Sequence, residues 1–272
     1  MTHPAFRFGP ALLFCPADRP DRFEKAAHRA DAVILDLEDA VADDAKHAAR
    51  LALLTSTIDP ERVIVRINPA SSPHHDDDLA MLAQTPYRTV MLAKCEGTAD
   101  LVGLVDYEVI ALCETARGVM TAADVADLPN VSALMWGAED LVASLGGSSS
   151  RFGDGRYRDV ARHARSQVLL AAAANGIAAI DAVHLDIGDL DGLRAEVDDA
   201  AALGFAATAC IHPSQVAVVR EGYRPDPERL AWARDVLAAS ASATEAGVFA
   251  FRGEMVDAPV LRQAEALVRR AG

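Results

Sequence analysis

The feature that most constrains the fold of this chain is a strand-like run that recurs eight times, with helical segments after most of the copies. The runs are short and rich in β-branched and apolar residues, and they occupy Ala11–Cys15, Val33–Leu37, Val63–Ile67, Thr89–Leu92, Val109–Cys113, Ala133–Trp136, Ala178–Val183 and Ala206–Ile211. Alternating strands and helices give a parallel sheet with helices packed outside it. Eight such units predict an α/β fold, a closed TIM (β/α)8 barrel.

A doubly wound open sheet is the alternative for this pattern. Such a sheet usually carries a Gly-rich nucleotide-binding turn after its first strand. Here that turn reads Cys15-Pro16-Ala17-Asp18-Arg19-Pro20 and contains no glycine. We therefore favour the barrel, which a chain of 272 residues with 51% apolar residues can fill as one domain.

The C-terminal part of the chain departs from the repeat. The sequence predicts a helix over residues 226–240, a small polar stretch over 240–247, a short strand over 248–251 and a helix over 259–270. We therefore predict two parts: a barrel domain at residues 1–223 and a C-terminal helical extension at residues 224–272.

Charge and composition argue against several classes of partner. The formal net charge of -14 disfavours nucleic acid and anionic lipid, because no concentrated basic face is present to bind either. No segment resembles a signal peptide, and no apolar run reaches the roughly 18 residues of a membrane helix. We expect a cytoplasmic protein with small-molecule partners. Its four cysteines are widely separated beside apolar runs, which predicts buried reduced thiols.

Ionisable side chains cluster where the predicted strands end, which is where barrel enzymes place their active sites. Period-two alternation puts Asp36 and Glu38 on one face of their strand, and Arg66 and Asn68 on one face of theirs. The other strand-end residues are Lys94, Glu114, Glu139, Asp140, His184 and His212. Any one of them could simply cap a helix or neutralise a neighbour. Burying the whole set would be costly unless a cation or a charged substrate compensated it, so the set predicts a functional site.

Two of these carboxylates suit a hard divalent cation. Glu114 and Asp140 offer oxygen ligands without a cysteine or a histidine cluster, which favours magnesium, or manganese, over zinc. Two protein ligands would leave positions open for water and substrate. Arg66 could then hold a substrate carboxylate through two parallel hydrogen bonds. The histidines are weaker candidates, and His212 could simply order the start of a helix. The stretch Gly146–Ser150 could be a mobile substrate loop or a plain connector.

Five motifs, in order along nearly the whole chain, resemble the citrate lyase beta-subunit-like members of the HpcH/HpaI aldolase group. They are Val33-Ile34-Leu35-Asp36-Leu37-Glu38-Asp39-Ala40-Val41, Val65-Arg66-Ile67-Asn68, Leu112-Cys113-Glu114-Thr115-Ala116-Arg117-Gly118, Gly137-Ala138-Glu139-Asp140-Leu141 and Cys210-Ile211-His212-Pro213-Ser214-Gln215. One departure is the sequence around Lys94, where relatives commonly have proline before the lysine and alanine after it.

The resemblance implies roles for individual residues. Magnesium would be held by Glu114, which could also contact the substrate, and by Asp140. Arg66 would bind the substrate's carboxylate or keto oxygen, and Glu38 would orient groups or handle a proton. The segment 253–259 resembles a lid that crosses to a neighbouring subunit and delivers Asp257, which implies a homotrimer. The residues expected to receive the nucleotide end of coenzyme A are Phe14, Arg19 and Lys25, although ordinary helix-start and surface roles remain open.

The activity implied is that of a carbon–carbon lyase. We expect magnesium-dependent cleavage of a 3-hydroxyacyl-CoA thioester, of the citramalyl-CoA, malyl-CoA, citryl-CoA or 3-hydroxy-3-methylglutaryl-CoA type, to an acyl-CoA and a keto acid. One alternative is the reverse reaction, a malate-synthase-like condensation of acetyl-CoA with glyoxylate. Others are an aldolase acting on free keto acids and a non-catalytic subunit that only binds acyl-CoA.

Overall fold

A closed barrel of eight parallel strands dominates the computed structural model, which describes residues 3–242 and 248–271. The strands follow one another around the barrel in chain order, and β8 pairs with β1 to close it. Their bounds are β1 Ala11–Pro16, β2 Ala32–Asp36, β3 Val63–Ile67, β4 Thr89–Leu92, β5 Glu108–Cys113, β6 Val131–Trp136, β7 Ala178–Asp181 and β8 Ala207–Cys210. The predicted TIM barrel is confirmed, and each predicted strand lies within two residues of an observed one at either end.

Helices follow most of the strands. They are α1 Phe23–Arg29, α2 Lys46–Leu54, α3 His75–Leu82, α4 Ala116–Ala126, α5 Ala138–Ser144, α6 Asp159–Ala174, α7 Leu190–Leu203, α8 Pro213–Tyr223, α9 Pro227–Ser242 and α10 Ala258–Ala271. Between β4 and β5 the connection is the 3-10 helix Thr98–Leu104. The helix α7 ends at Gly204, whose φ of 109° lies in the left-handed region that glycine adopts without strain.

The core lies inside the barrel and between the barrel and its helices. All residues of β2, β3, β4 and β6 are buried, as expected for parallel strands covered on both faces. Side chains from the strands fill the interior, and Phe8 of the N-terminal segment packs among them. The four cysteines are buried and free, which confirms the prediction of reduced thiols. Because the interior is packed, the strand-end side chains can only gather at the rim.

The chain divides into two compact units, Met1–Arg220 and Glu221–Gly272. The second unit contains α9, the antiparallel strands β9 (Phe249–Phe251) and β10 (Glu254–Val256), and α10. It has its own small core of Ala233, Val236, Val256 and Ala264. Residues 243–247 of the predicted polar stretch lie outside the described residues. The division falls within α8, a few residues before the predicted boundary between residues 223 and 224.

No helix in the described part of the chain combines the length and the apolar character that crossing a membrane requires.

Candidate active site

Arg66, near the end of β3, is the central cation of a buried charge cluster. Its Nε donates to Asp36 Oδ1 at 2.7 Å and its Nη2 to Asp36 Oδ2 at 2.6 Å, because the register of β2 and β3 places the two residues opposite each other. Its Nη1 lies 3.2 Å from Glu38 Oε2, and the Phe14 ring centroid is 4.8 Å from its Cζ. Burial lowers the pKa of Arg66, but the carboxylates of Asp36, Glu38 and Glu114 outweigh it and keep that pKa above its ordinary value.

This geometry changes how Arg66 could bind a substrate. We expected its guanidinium to make two parallel hydrogen bonds to a substrate carboxylate. The Nε–Nη2 edge already makes that pair of bonds to Asp36. The N–H groups left to face a ligand are those of Nη1, which contacts Glu38, and the second N–H of Nη2, so a substrate carboxylate would approach the Nη1–Nη2 end of the guanidinium.

Lys94, just beyond β4, joins several carboxylates. Its ammonium hydrogen-bonds Glu38 Oε1, lies 2.9 Å from Asp39 Oδ2 and lies 3.4 Å from Asp140 Oδ1. Its backbone N–H donates to Glu114 Oε1 at 3.0 Å. One residue therefore contacts acids that follow β2, β5 and β6, which brings three separate strand ends into one site.

Glu114 is the most strongly perturbed carboxyl group of this site. Only 3% of the residue is exposed, and burial, aided by the charges of Asp140 and Glu38, raises its pKa to about 8 against the opposing charges of Arg66 and Lys94. Burial likewise raises the pKa of Glu38, although Arg66 and Lys94 oppose this. The raised pKa values mean that the available cations do not fully compensate these two acids.

Close packing fixes the positions of the segments that carry Glu114 and Asp140. A Cβ atom on Gly137, the residue before α5, would lie 2.7 Å from Glu114 Oε2 and 2.9 Å from Glu114 Cβ, so a residue larger than glycine would have to displace this side chain. Ser144, at the end of α5, accepts a hydrogen bond at Oγ from the N–H of Ala116, the first residue of α4, at 3.0 Å. Thus the start of α4 and the helix α5 are joined directly.

Asp140 and Glu139 are neighbours in α5 but have different surroundings. Asp140 is half-buried and faces the ammonium of Lys94. Glu139 accepts a hydrogen bond at Oε1 from Ser150 Oγ at 2.6 Å, and Ser150 is buried. The end of the predicted loop Gly146–Ser150 is therefore anchored next to α5.

Two other strand-end residues belong to separate networks. Asn68 donates to Asp78 Oδ2 at 2.7 Å, and its side chain is therefore used in a buried structural network. His184 Nδ1 lies 2.9 Å from Glu196 Oε2, and that carboxylate also pairs with Arg151. A cleft of about 1170 Å³ lies beside these last groups in the barrel unit.

His212 has the structural role that the sequence left open for it. Its Nδ1 accepts a hydrogen bond from the backbone N–H of Ser214 at 3.2 Å and lies 2.7 Å from Ser214 Oγ. These contacts order the start of α8, so the simple interpretation is confirmed.

The remaining predicted site residues lie outside this cluster or in the second unit. Arg19 is exposed and its Nε donates to Asp21 Oδ1 at 3.2 Å, while Lys25 is exposed on α1. Asp257 precedes α10, and its Oδ1 accepts a hydrogen bond from the backbone N–H of Val260 at 3.2 Å. The roles expected of these three residues stay predictions.

Three features of the site were not assigned from the sequence. They are the bonding of Asp36 to Arg66, the contacts of Lys94 and the need for glycine at position 137. The alternation that put Asp36 and Glu38 on one face was a signal for the first. Lys94 was recognised as a strand-end residue, but its partners follow distant strands and no local pattern identifies them.

Comparison with known proteins identifies the family. A family model described as HpcH/HpaI aldolase/citrate lyase matches residues 10–213. A citrate lyase subunit beta-like protein of Mycobacterium tuberculosis is 60% identical over 264 residues, which cover 97% of this chain and 96% of that protein. This chain belongs to the HpcH/HpaI aldolase/citrate lyase family.

Other members of the HpcH/HpaI aldolase/citrate lyase family extend the comparison. The mitochondrial citramalyl-CoA lyase of Mus musculus is 33% identical over 293 residues, covering 96% of this chain and 85% of that protein. The crystal structure of the CitE protein of Mycobacterium tuberculosis in complex with magnesium, acetoacetate and coenzyme A matches with a TM-score of 0.91 and 60% identity, covering 97% and 98% of the two chains. The predictions of this family and of an enzyme of the lyase class are confirmed.

Proposed function

We propose that this protein is a magnesium-dependent carbon–carbon lyase that cleaves a 3-hydroxyacyl-CoA thioester to an acyl-CoA and a keto acid. The observation that carries the proposal is the cluster at the strand ends, in which the partly exposed Lys94 joins the buried residues Arg66, Glu38 and Glu114, with Asp140 beside them. Two similar proteins support it: the murine relative is named a citramalyl-CoA lyase, and the CitE structure contains magnesium and coenzyme A.

The donor set fits a divalent cation. Glu114 and Asp140 are hard oxygen ligands, and a cation between them would offset the burial that raises the pKa of Glu114 to about 8. Among residues 3–242 and 248–271, no three His, Cys, Asp or Glu side chains form a metal-holding group. Magnesium commonly binds through one or two carboxylates and completes its coordination with water and substrate. When bound, magnesium supplies Lewis-acid polarisation of a substrate oxygen.

Arg66 and Glu38 act on the reacting part of the substrate. Arg66 Nη1 binds the substrate oxygen on which charge develops, while Asp36 holds the opposite edge of the guanidinium in place. Such fixed charges stabilise the transition state without having to reorganise. Glu38 takes the proton of the C3 hydroxyl, and its raised pKa makes it a better base than an ordinary exposed carboxylate.

The bond changes form a retro-Claisen cleavage. As the hydroxyl proton leaves, the C3 oxygen becomes the carbonyl oxygen of the keto acid, the C2–C3 bond breaks, and its electron pair passes to C2 as the thioester enolate. Asp257 of a neighbouring subunit gives a proton to C2 and completes the acyl-CoA. The net change moves one proton from the hydroxyl to C2, so no oxidant or reductant is needed.

The proposal also covers where the nucleotide part of the thioester binds and how many subunits form the active enzyme. Phe14, against the guanidinium of Arg66, with the exposed Arg19 and Lys25, receives the nucleotide part of the thioester. A homotrimer brings Asp257 to the site of the next subunit.

Steady-state cleavage of four thioesters tests the proposal: citramalyl-, malyl-, citryl- and 3-hydroxy-3-methylglutaryl-CoA. We expect citramalyl-CoA to be cleaved with the highest kcat/KM, because the murine relative is named for it. Turnover should be lost in EDTA and restored by added magnesium. Cleavage of none of the four, or cleavage that EDTA leaves unchanged, would contradict the proposal.

The reverse reaction uses the same groups. Condensation of acetyl-CoA with glyoxylate needs a base for C2 and a charge that stabilises the developing oxyanion, and the same Asp257 and Arg66 supply these. Initial rates in both directions at one magnesium concentration determine which direction is faster. Tight thioester binding with no product in either direction would instead indicate a non-catalytic acyl-CoA-binding subunit.

A further inference from the structure

Lys94 contacts residues with different functions in the proposed reaction. Its ammonium reaches Glu38, the proposed base, as well as Asp39 and the metal-binding residue Asp140. Its backbone amide holds the other metal-binding residue, Glu114. About a quarter of the side chain is exposed, so the charge interactions are only partly screened by water.

The backbone of Lys94 is strained in a way that serves these contacts. Its φ of 46° lies in the left-handed region, which costs a residue with a Cβ roughly 1 kcal/mol or more. This conformation directs the amide to Glu114 while the side chain points to Glu38 and Asp140. Strain of this kind persists only where the surrounding structure enforces it, and it is concentrated at functional sites.

Charge balance gives the ammonium a particular role. The other central cation, Arg66, is committed to Asp36 through two hydrogen bonds. Lys94 therefore supplies a positive charge directly at Asp140, with its ammonium nitrogen 3.4 Å from Asp140 Oδ1. A divalent cation bound by Asp140 must approach against this charge.

We infer that Lys94 is a positioning residue whose ammonium holds Glu38 in place and competes with the divalent cation for Asp140. This inference rests on the proposed function. The cation binds when the ammonium leaves Asp140 and keeps its bonds to Glu38 and Asp39. Lys94 thus lowers metal affinity while it raises turnover, two effects of opposite sign that a merely structural residue does not have.

Replacing the charge separates the two effects. The variant Lys94→Met has an unbranched side chain that is one atom shorter and carries no charge, so the affinity for the metal alone should rise by about tenfold or more. At saturating metal, kcat should fall by about tenfold or more, because Glu38 loses the ammonium that orients it. Lys94→Arg keeps the charge and should restore metal affinity to within about threefold of the wild-type value.

The metal titrations use the full-length protein without substrate, and kcat is measured separately with the thioester at saturating metal. Binding of Mn²⁺ is followed by the loss of its free-ion electron paramagnetic resonance signal, and Mg²⁺ binding is measured by calorimetry. Circular dichroism checks that each variant folds, and Lys94→Gln replaces Lys94→Met if the latter does not fold. Tighter metal binding with slower turnover, reversed by arginine, supports the inference. Unchanged or weaker metal binding in the folded neutral variant overturns it.

The same titration separates this inference from the proposed function. If the wild-type protein binds neither metal, the proposed magnesium dependence fails and the inference fails with it. If the wild-type protein binds metal and is active, but Lys94→Met binds metal no more tightly, only the inference fails.

Discussion

At the scale of a single residue, the raised pKa of Glu114 is the clearest effect of burial in the site. It is almost fully buried, and burial raises its pKa to about 8, so at pH 7 the metal-free protein keeps this carboxyl largely protonated. A divalent cation binds the ionised form, and metal binding must therefore release the proton.

Proton release on Mg²⁺ binding is the first prediction. At pH 7, a group with a pKa of about 8 is about nine-tenths protonated, so binding should release close to one proton from Glu114. At pH 9 the group is about nine-tenths ionised in the metal-free protein, and its release should fall to about a tenth of a proton. Calorimetry in two buffers of different ionisation enthalpy at each pH counts the protons. No release at pH 7 would show that Glu114 is not a ligand or is not buried as described.

The residues of the site were predictable where a local sequence pattern, such as the end of a strand, marks their position. Glu38, Arg66, Glu114 and Asp140 were all expected at strand ends, and the structure brings them together. The edge of Arg66 that faces Asp36 was not predictable, because it depends on the register between two strands. The left-handed conformation of Lys94 was also not predictable, since a lysine gives no local signal for it.

At the scale of secondary structure, the residue before α5 helps to fix the position of the Glu114 side chain, which follows β5. This residue, Gly137, has an extended backbone that any residue could adopt, so the need for glycine is purely steric. The atoms closest to an added Cβ belong to Glu114, which follows the neighbouring strand β5.

Gly137→Ala is the prediction at this scale. The added methyl group should displace the Glu114 carboxylate and weaken Mg²⁺ binding by about tenfold or more, with a fall in the free energy of unfolding of roughly 1–3 kcal/mol. Gly153→Ala is the matched control, because an added Cβ at that exposed position meets nothing within 4 Å. Calorimetric Mg²⁺ titration and chemical denaturation measure both effects. Wild-type metal affinity in Gly137→Ala would show that the site tolerates the contact.

The barrel elements were predictable because buried parallel strands give continuous apolar runs. The connection between β4 and β5 broke the pattern, forming a 3-10 helix rather than an α-helix. The strand β10 was not predicted at all. It consists of only three residues, Glu254–Val256, and it is a strand because it pairs with β9. A run of three residues carries too little sequence information to predict such a pairing.

At the scale of the whole molecule, the role of the second unit depends on how subunits assemble. Asp257 caps α10 within that unit, and its proposed role requires a neighbouring subunit. Nothing in the sequence of one chain fixes this arrangement, because an interface depends on two surfaces together.

Subunit complementation tests the delivery of Asp257. Asp257→Ala and Glu114→Gln should each be inactive alone. If they are unfolded together at equal amounts and refolded, mixed assemblies should recover about a quarter of wild-type activity, since a site then combines an intact barrel with an intact Asp257 from the next subunit. Each variant refolded alone is the control. Absence of recovery in mixed assemblies that do form would show that Asp257 does not act across subunits.

The metal site and the lyase activity are tested together by the magnesium dependence of citramalyl-CoA cleavage by Asp140→Ala. Asp140 is half-buried at the start of a helix, so we expect the variant to fold normally while its magnesium-dependent turnover falls below detection. Asp124→Ala, at an exposed position on α4, should retain wild-type turnover. A folded Asp140→Ala protein that cleaves the thioester at the wild-type rate, with the wild-type response to magnesium, would contradict the proposed metal site and the lyase mechanism built on it.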